Sequence, residues 1–159
     1  MSNEEPCAPK KWGFMSVKVP DRRPSKLNYD NNYFKINEDV IRITNNNFGG
    51  DKKMLVVFSD YVEEMKKAVI KNILDIGTNI REASSIVYPV NKSEVDKRRD
   101  YQDVAIGLCY DTLTKYQLVM KILRTKDDKY TVEIKNLINE ITYLKDWRTA
   151  DYSRFKSVG

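Results

Sequence analysis

The chain contains no histidine. This removes the side chain best suited to proton transfer near neutral pH and the commonest zinc ligand. Ser-His-Asp and Cys-His catalytic arrangements and the H-E-x-x-H zinc motif are excluded with it. Cysteine is scarce, with Cys7 and Cys109 the only two, so zinc sites of the Cys₄ or Cys₂His₂ type are excluded as well. Cys7 lies in a Pro-flanked polar stretch and Cys109 inside an apolar helical pattern. A disulfide between them is not expected, and Cys109 reads as a small buried hydrophobe. Phosphate-binding loops are also missing: there is neither G-x-x-x-x-G-K-[ST] nor G-x-G-x-x-G after a strand. The nearest approach, Gly49-Gly50-Asp51-Lys52-Lys53, leads into an apolar run read as a strand. It therefore lacks the helix dipole that makes a phosphate cradle, and a turn with solvated lysines is the simpler reading. No apolar run approaches the ~18 residues that span a membrane. The polar, acidic start Met1-Ser2-Asn3-Glu4-Glu5 lacks the basic and apolar segments of a secretory signal. The expectation is an intracellular protein, cytoplasmic or nuclear, with no membrane partner and no cofactor.

What is present fits one domain. The 159 residues are 41% apolar and 32% charged, a globular composition. A chain of this size buries roughly 68–70% of its unfolded surface and needs neither disulfide nor metal to hold a core. The net charge of +5 permits attraction to nucleic acid without requiring it. Frequent asparagine, as in Asn31-Asn32 and Asn45-Asn46-Asn47, fits an AT-rich coding genome, viral and phage genomes among them.

The pattern along the chain predicts an α+β fold, a small N-terminal antiparallel sheet followed by three helices. Residues 1–11 read as a disordered arm, 12–147 as the domain, and 148–159 as a tail that is flexible or ordered by a partner. Met15, Val17 and Val19 alternate as one face of a strand ended by Pro20. Tyr33 to Ile36 and Val40 to Thr44 read as two more strands, separated by the polar Asn37-Glu38-Asp39 turn. Asn45 to Asp51 reads as a loop, and Met54 to Phe58 as a buried strand. Helices are expected at about 60–76, 94–124 and 130–146. Ser59 and Ser93 serve as their first caps, Gly77 as a stop, and Tyr101, Val104, Ala105, Leu108, Tyr116, Val119, Met120 and Leu123 as the stripe of the longest one. Gly107 inside that helix has no evident reason, and residues 78–92 fit helix or edge strand.

Without a nucleophile–base pair or a metal-ligand cluster, the expected function is non-catalytic binding. Asp96, Asp100 and Asp103 share a helical face, but Lys97, Arg98 and Arg99 are interleaved, which reads as a salt-bridged surface. Strand alternation would place Trp12, Phe14 and Lys18 on one sheet face with Lys35 and Arg42, beside the Arg22-Arg23 loop. Rings there would stack bases while the cations, helped by Lys52 and Lys53, neutralise phosphates. Lys97, Arg98 and Arg99 form a second basic cluster. Single-stranded nucleic acid is accordingly the leading partner, bound by an accessory or structural protein. The alternative is a protein–protein module or structural subunit of a larger, even viral, assembly, with homo-oligomers among its forms, since exposed aromatic residues equally mark protein interfaces.

Overall fold

A computed structural model describes residues 24–158, and all the regular structure among them is helical. Five α-helices follow one another: α1 (Pro24–Asn45), α2 (Lys52–Val57), α3 (Ser59–Ser85), α4 (Lys92–Ile122) and α5 (Thr131–Arg154), with a 3₁₀ turn at Asn47–Gly49. Each long helix buries a stripe at three- and four-residue spacing. The stripe is Tyr29, Ile36, Val40 and Ile43 on α1; Val62, Val69, Ile73, Ile76 and Ile80 on α3; Ala105, Cys109, Thr112, Tyr116 and Val119 on α4; and Leu137, Ile141, Leu144 and Trp147 on α5.

The four long helices form an up-down-up-down bundle, with α1 between α3 and α5, and α4 between the same two on the far side. Cross-contacts fix the antiparallel register. The Tyr33 hydroxyl on α1 donates to the Ile73 carbonyl on α3 (2.9 Å). Asn32 of α1 and Asn46 just after it reach Glu140 on α5 and Tyr130 just before α5, respectively. Tyr29 stacks on Trp147 with ring centroids 4.1 Å apart. Gly77 lies inside α3, where a Cβ would overlap the Tyr33 hydroxyl. It is thus a point of close helix approach, not a helix stop.

The α1–α2 connection turns through three successive left-handed residues, Asn47, Phe48 and Gly49, with φ of 51°, 58° and 65°. That conformation is unfavourable for a phenylalanine, and it is offset by complete burial of the Phe48 ring. Thr125 donates to the Phe48 carbonyl (2.7 Å), and the Asp51 amide donates to the Leu123 carbonyl (2.9 Å), which binds this turn to the α4–α5 loop.

The expected α+β architecture is therefore wrong: no strand occurs among the described residues. Tyr33 to Ile36 and Val40 to Thr44 both belong to α1, and Met54 to Phe58 belongs to α2 and the corner before α3. The local β signal in Val40-Ile41-Arg42-Ile43-Thr44 came from β-branched side chains and alternation over five residues. A stripe spanning the whole segment from Tyr29 to Ile43 overrides it, because packing outweighs propensity. A short apolar run such as Met54 to Phe58 carries no period that separates strand from helix; Val56 and Val57 are in fact exposed. The proposed strand at 15–19 lies outside the described residues.

Candidate functional site

The site lies where the start of α4 meets the end of α5. Asn91 opens α4: its side chain accepts from the Glu94 amide (3.0 Å), while Glu94 accepts from the Val90 amide (2.8 Å). This reciprocal cap satisfies two orphan donors. One turn later Arg98 turns inward. Its Nε and Nη2 donate to both carboxylate oxygens of Asp151, and Nη1 donates to the carbonyls of Ala83 (3.1 Å) and Ile86 (2.9 Å) at the end of α3. The guanidinium also lies over the rings of Trp147 and Phe155, at 5.1 and 5.5 Å. One buried cation thus joins three helices and caps the C-terminus of α3.

Gln102 completes this group. It is 1% exposed, and its Nε2 donates to Asp151 (2.7 Å), but its Oε1 has no protein partner. Above it opens a cleft of about 210 Å³. Lys92, Arg99, Arg148 and Lys156 supply cations to its lining, and Tyr152 and Phe155 supply rings. Arg99 lies 5.6 Å over the Tyr152 ring. Arg148 pairs with Asp103 (2.6 Å) and Lys92 with Asp96 (3.5 Å), exposed pairs of the kind that exchange partners at little cost. The cleft can therefore offer positive charge, aromatic faces and one buried hydrogen-bond acceptor.

A second polar cluster joins α1 to α5. Asn32 donates to Glu140 Oε1 (3.1 Å) and to the Asn136 carbonyl (2.8 Å), and Asn136 donates to Asp39 (2.9 Å). Glu140 is fully buried, its Oε2 is unpartnered, and burial pushes its pKa up to about 8. Cys109 is a buried free thiol, its pKa raised by burial and by the nearby Glu140.

The residues singled out from sequence scatter. Trp12, Phe14, Lys18, Arg22 and Arg23 lie outside the described residues. Lys35 and Arg42 share no sheet face; both are on α1, and Arg42 is paired with Asp39 and Glu133. Lys52 and Lys53 begin α2 at the opposite end of the bundle from the cleft. Of the basic cluster, Lys97 is exposed, Arg98 is the buried clamp, and Arg99 alone lines the cleft. Asp96 and Asp103 are in ion pairs, and no group of three metal-ligating side chains occurs among the described residues. Sequence reasoning missed Gln102, Arg148 and Lys156. Arg148 and Lys156 share the α5 end with Tyr152 and Phe155, a basic-aromatic spacing that could have marked it. No described helix is long and apolar enough to cross a membrane. Comparison of the chain with protein-family models, curated proteins and solved structures finds no match.

Proposed function

We propose that this chain is a non-catalytic binding protein that seats a unit of single-stranded nucleic acid in the α4–α5 cleft. The observation that carries this reading is the unpartnered Gln102 Oε1 beside a cleft where Lys92, Arg99, Arg148 and Lys156 outnumber the carboxylates Asp96 and Asp151. A buried acceptor without a donor costs roughly 1–3 kcal/mol, and a ligand that brings an N–H or O–H recovers it. The cations call for negative charge. Bare phosphate diester offers charge but no donor, whereas a nucleotide offers a phosphate together with base N–H groups. Tyr152, 62% exposed, adds a ring for stacking, worth roughly 1–3 kcal/mol per base. The sheet face first expected to do this work has no counterpart among the described residues; the same chemistry is gathered instead between two helices.

The test is to compare single-strand affinity of the unaltered chain with that of Arg99→Ala/Arg148→Ala and of Lys52→Ala/Lys53→Ala. The reading expects the cleft pair to lose at least about tenfold, or ~1.4 kcal/mol, and the α2 pair to lose little. Equal losses would reduce the interaction to general charge attraction, and no loss at the cleft would reject it.

A further inference from the structure

Of the bundle's four seams, that between α1 and α3 is the least closely packed. Its outward side carries four large apolar side chains that the helices leave open. Phe34 and Ile41 on α1 are 65% and 51% exposed, and Ile70 and Leu74 on α3 are 40% and 58% exposed. Tyr33 ties the two helices into register at Ile73 and Gly77. That register brings Ile41 close to the level of Ile70 and sets Leu74 between Ile41 and Phe34. At the middle of the groove lies the half-buried Asn37, whose side chain makes no hydrogen bond among the described residues. An apolar groove with a free amide at its centre suits an extended backbone. One face of side chains fills the groove, and the peptide groups satisfy the amide, which both donates and accepts.

The chain itself carries such a segment. Met15, Val17 and Val19 alternate on one face of a strand pattern that ends at Pro20, in the stretch before α1 that lies outside the described residues. The place where α1 begins sets what this stretch can reach. Pro24 stands at the end of the bundle where Tyr29 meets Ser84 and Trp147, and α1 runs from there along the groove. At a rise of about 1.5 Å per residue, Phe34 is about 15 Å and Ile41 about 26 Å from Pro24. Extended chain covers about 3.3 Å per residue, so Val17 reaches ~23 Å and Met15 ~30 Å from the same point. The surplus is enough for the reversal that Pro20-Asp21-Arg22-Arg23 would make before α1.

Charge and tethering favour the same path. The cleft opens at this end of the bundle, and its cations repel Lys18, Arg22 and Arg23, whereas the groove offers apolar side chains to apolar side chains. A segment joined by a few residues is present at an effective concentration on the order of millimolar, so it fills the groove ahead of a separate molecule of equal intrinsic affinity. We propose that residues 15–19 of this chain lie extended in the α1–α3 groove, antiparallel to α1, with Val17 over Phe34 and Met15 over Leu74 and Ile41. The seam left open by the helices is then closed from within one molecule, and the cleft is left clear for its ligand.

Thiol cross-linking of the full chain tests this, in a Cys7→Ser background where buried Cys109 is the remaining native thiol. With a short bifunctional thiol reagent, Met15→Cys/Leu74→Cys should link within one chain. Met15→Cys/Leu118→Cys, whose second site is exposed on α4 across the bundle, should not. Equal yields from the two pairs would show a segment without a seat, links between two chains would give the groove to a second copy, and no link would leave it to solvent or another partner; each overturns the proposal. Trypsin gives an independent reading that does not depend on exact register. Cleavage after Lys18 should be slow in the parent and at least about tenfold faster in Ile41→Asp/Leu74→Asp, because proteolysis follows the population of the undocked form. Circular dichroism should show the same helicity in both. Equal cleavage rates at equal helicity would overturn the proposal, and a loss of helicity in that variant would leave the decision to the cross-links.

Discussion

Arg98 on α4 and Asp151 on α5, 53 residues apart, face each other through two hydrogen bonds in a setting where each side chain is less than a tenth exposed. A buried ion pair is not strongly stabilising in itself, because both charges lose their hydration. Removing one partner is costly, because the other is left buried and uncompensated.

Arg98→Met is therefore expected to destabilise the chain by ~3–5 kcal/mol, and Arg98→Met/Asp151→Leu by clearly less than the sum of the two single changes. Urea unfolding of the four variants closes the cycle. Additive losses would show that the two side chains do not act as a pair.

Glu140 predicts a pH dependence. Its pKa is raised from 4.5 to about 8 by burial, so over that interval the folded chain holds a proton that the unfolded chain has released. Stability from this group is greatest below about pH 4.5 and falls as pH rises toward about 8. Glu140→Gln keeps the shape and removes the titration. It should be more stable than the parent at pH 8 and should flatten this part of the stability profile. An unchanged profile would mean that Glu140 is not the group responsible.

Two glycines in helices should respond in opposite directions. A Cβ at Gly107 meets nothing within 4 Å, so Gly107→Ala should stabilise α4 by about 1 kcal/mol through propensity alone, read as a rise in Tm. Gly77→Ala should lower Tm, because the methyl displaces the Tyr33 hydroxyl from Ile73, an overpacking cost of ~1–3 kcal/mol. A loss at Gly107 or a gain at Gly77 would contradict the packing described.

The cap of α4 offers a smaller test. Asn91→Ala removes the acceptor for the Glu94 amide and should cost ~1 kcal/mol. A loss of less than ~0.3 kcal/mol in thermal unfolding would show that Glu94 alone holds this end.

Much of the second half of the fold was legible. The helices expected at about 94–124 and 130–146 fall within or close to α4 and α5, because their apolar patterns are long enough for the helical period to dominate. Helix α3 was legible over about 60–76, but Gly77 read as its stop because its partner, Tyr33, lies on another helix and cannot be seen locally. The first half failed for a related reason. Between Tyr33 and Thr44, windows of four and five residues alternate as strands do, and the helical stripe emerges only when Tyr29, Ile36, Val40 and Ile43 are taken together. At the site, Arg99 was legible as part of a basic run. Arg98 beside it looked the same in sequence but is turned inward by Asp151, and no local pattern distinguishes the two. Gln102 is visible only once burial shows its carbonyl oxygen without a donor.

We propose that the α4–α5 cleft holds single-stranded nucleic acid through charge and stacking. Fluorescence-anisotropy titration of a labelled mixed-sequence single strand at ~50 mM and ~200 mM salt tests it most directly, because phosphate contacts release counterions. The account predicts saturable binding that weakens steeply at the higher salt and is reduced by Arg99→Ala/Arg148→Ala. Absence of binding at the lower salt, or binding indifferent to both salt and the cleft substitutions, would contradict it.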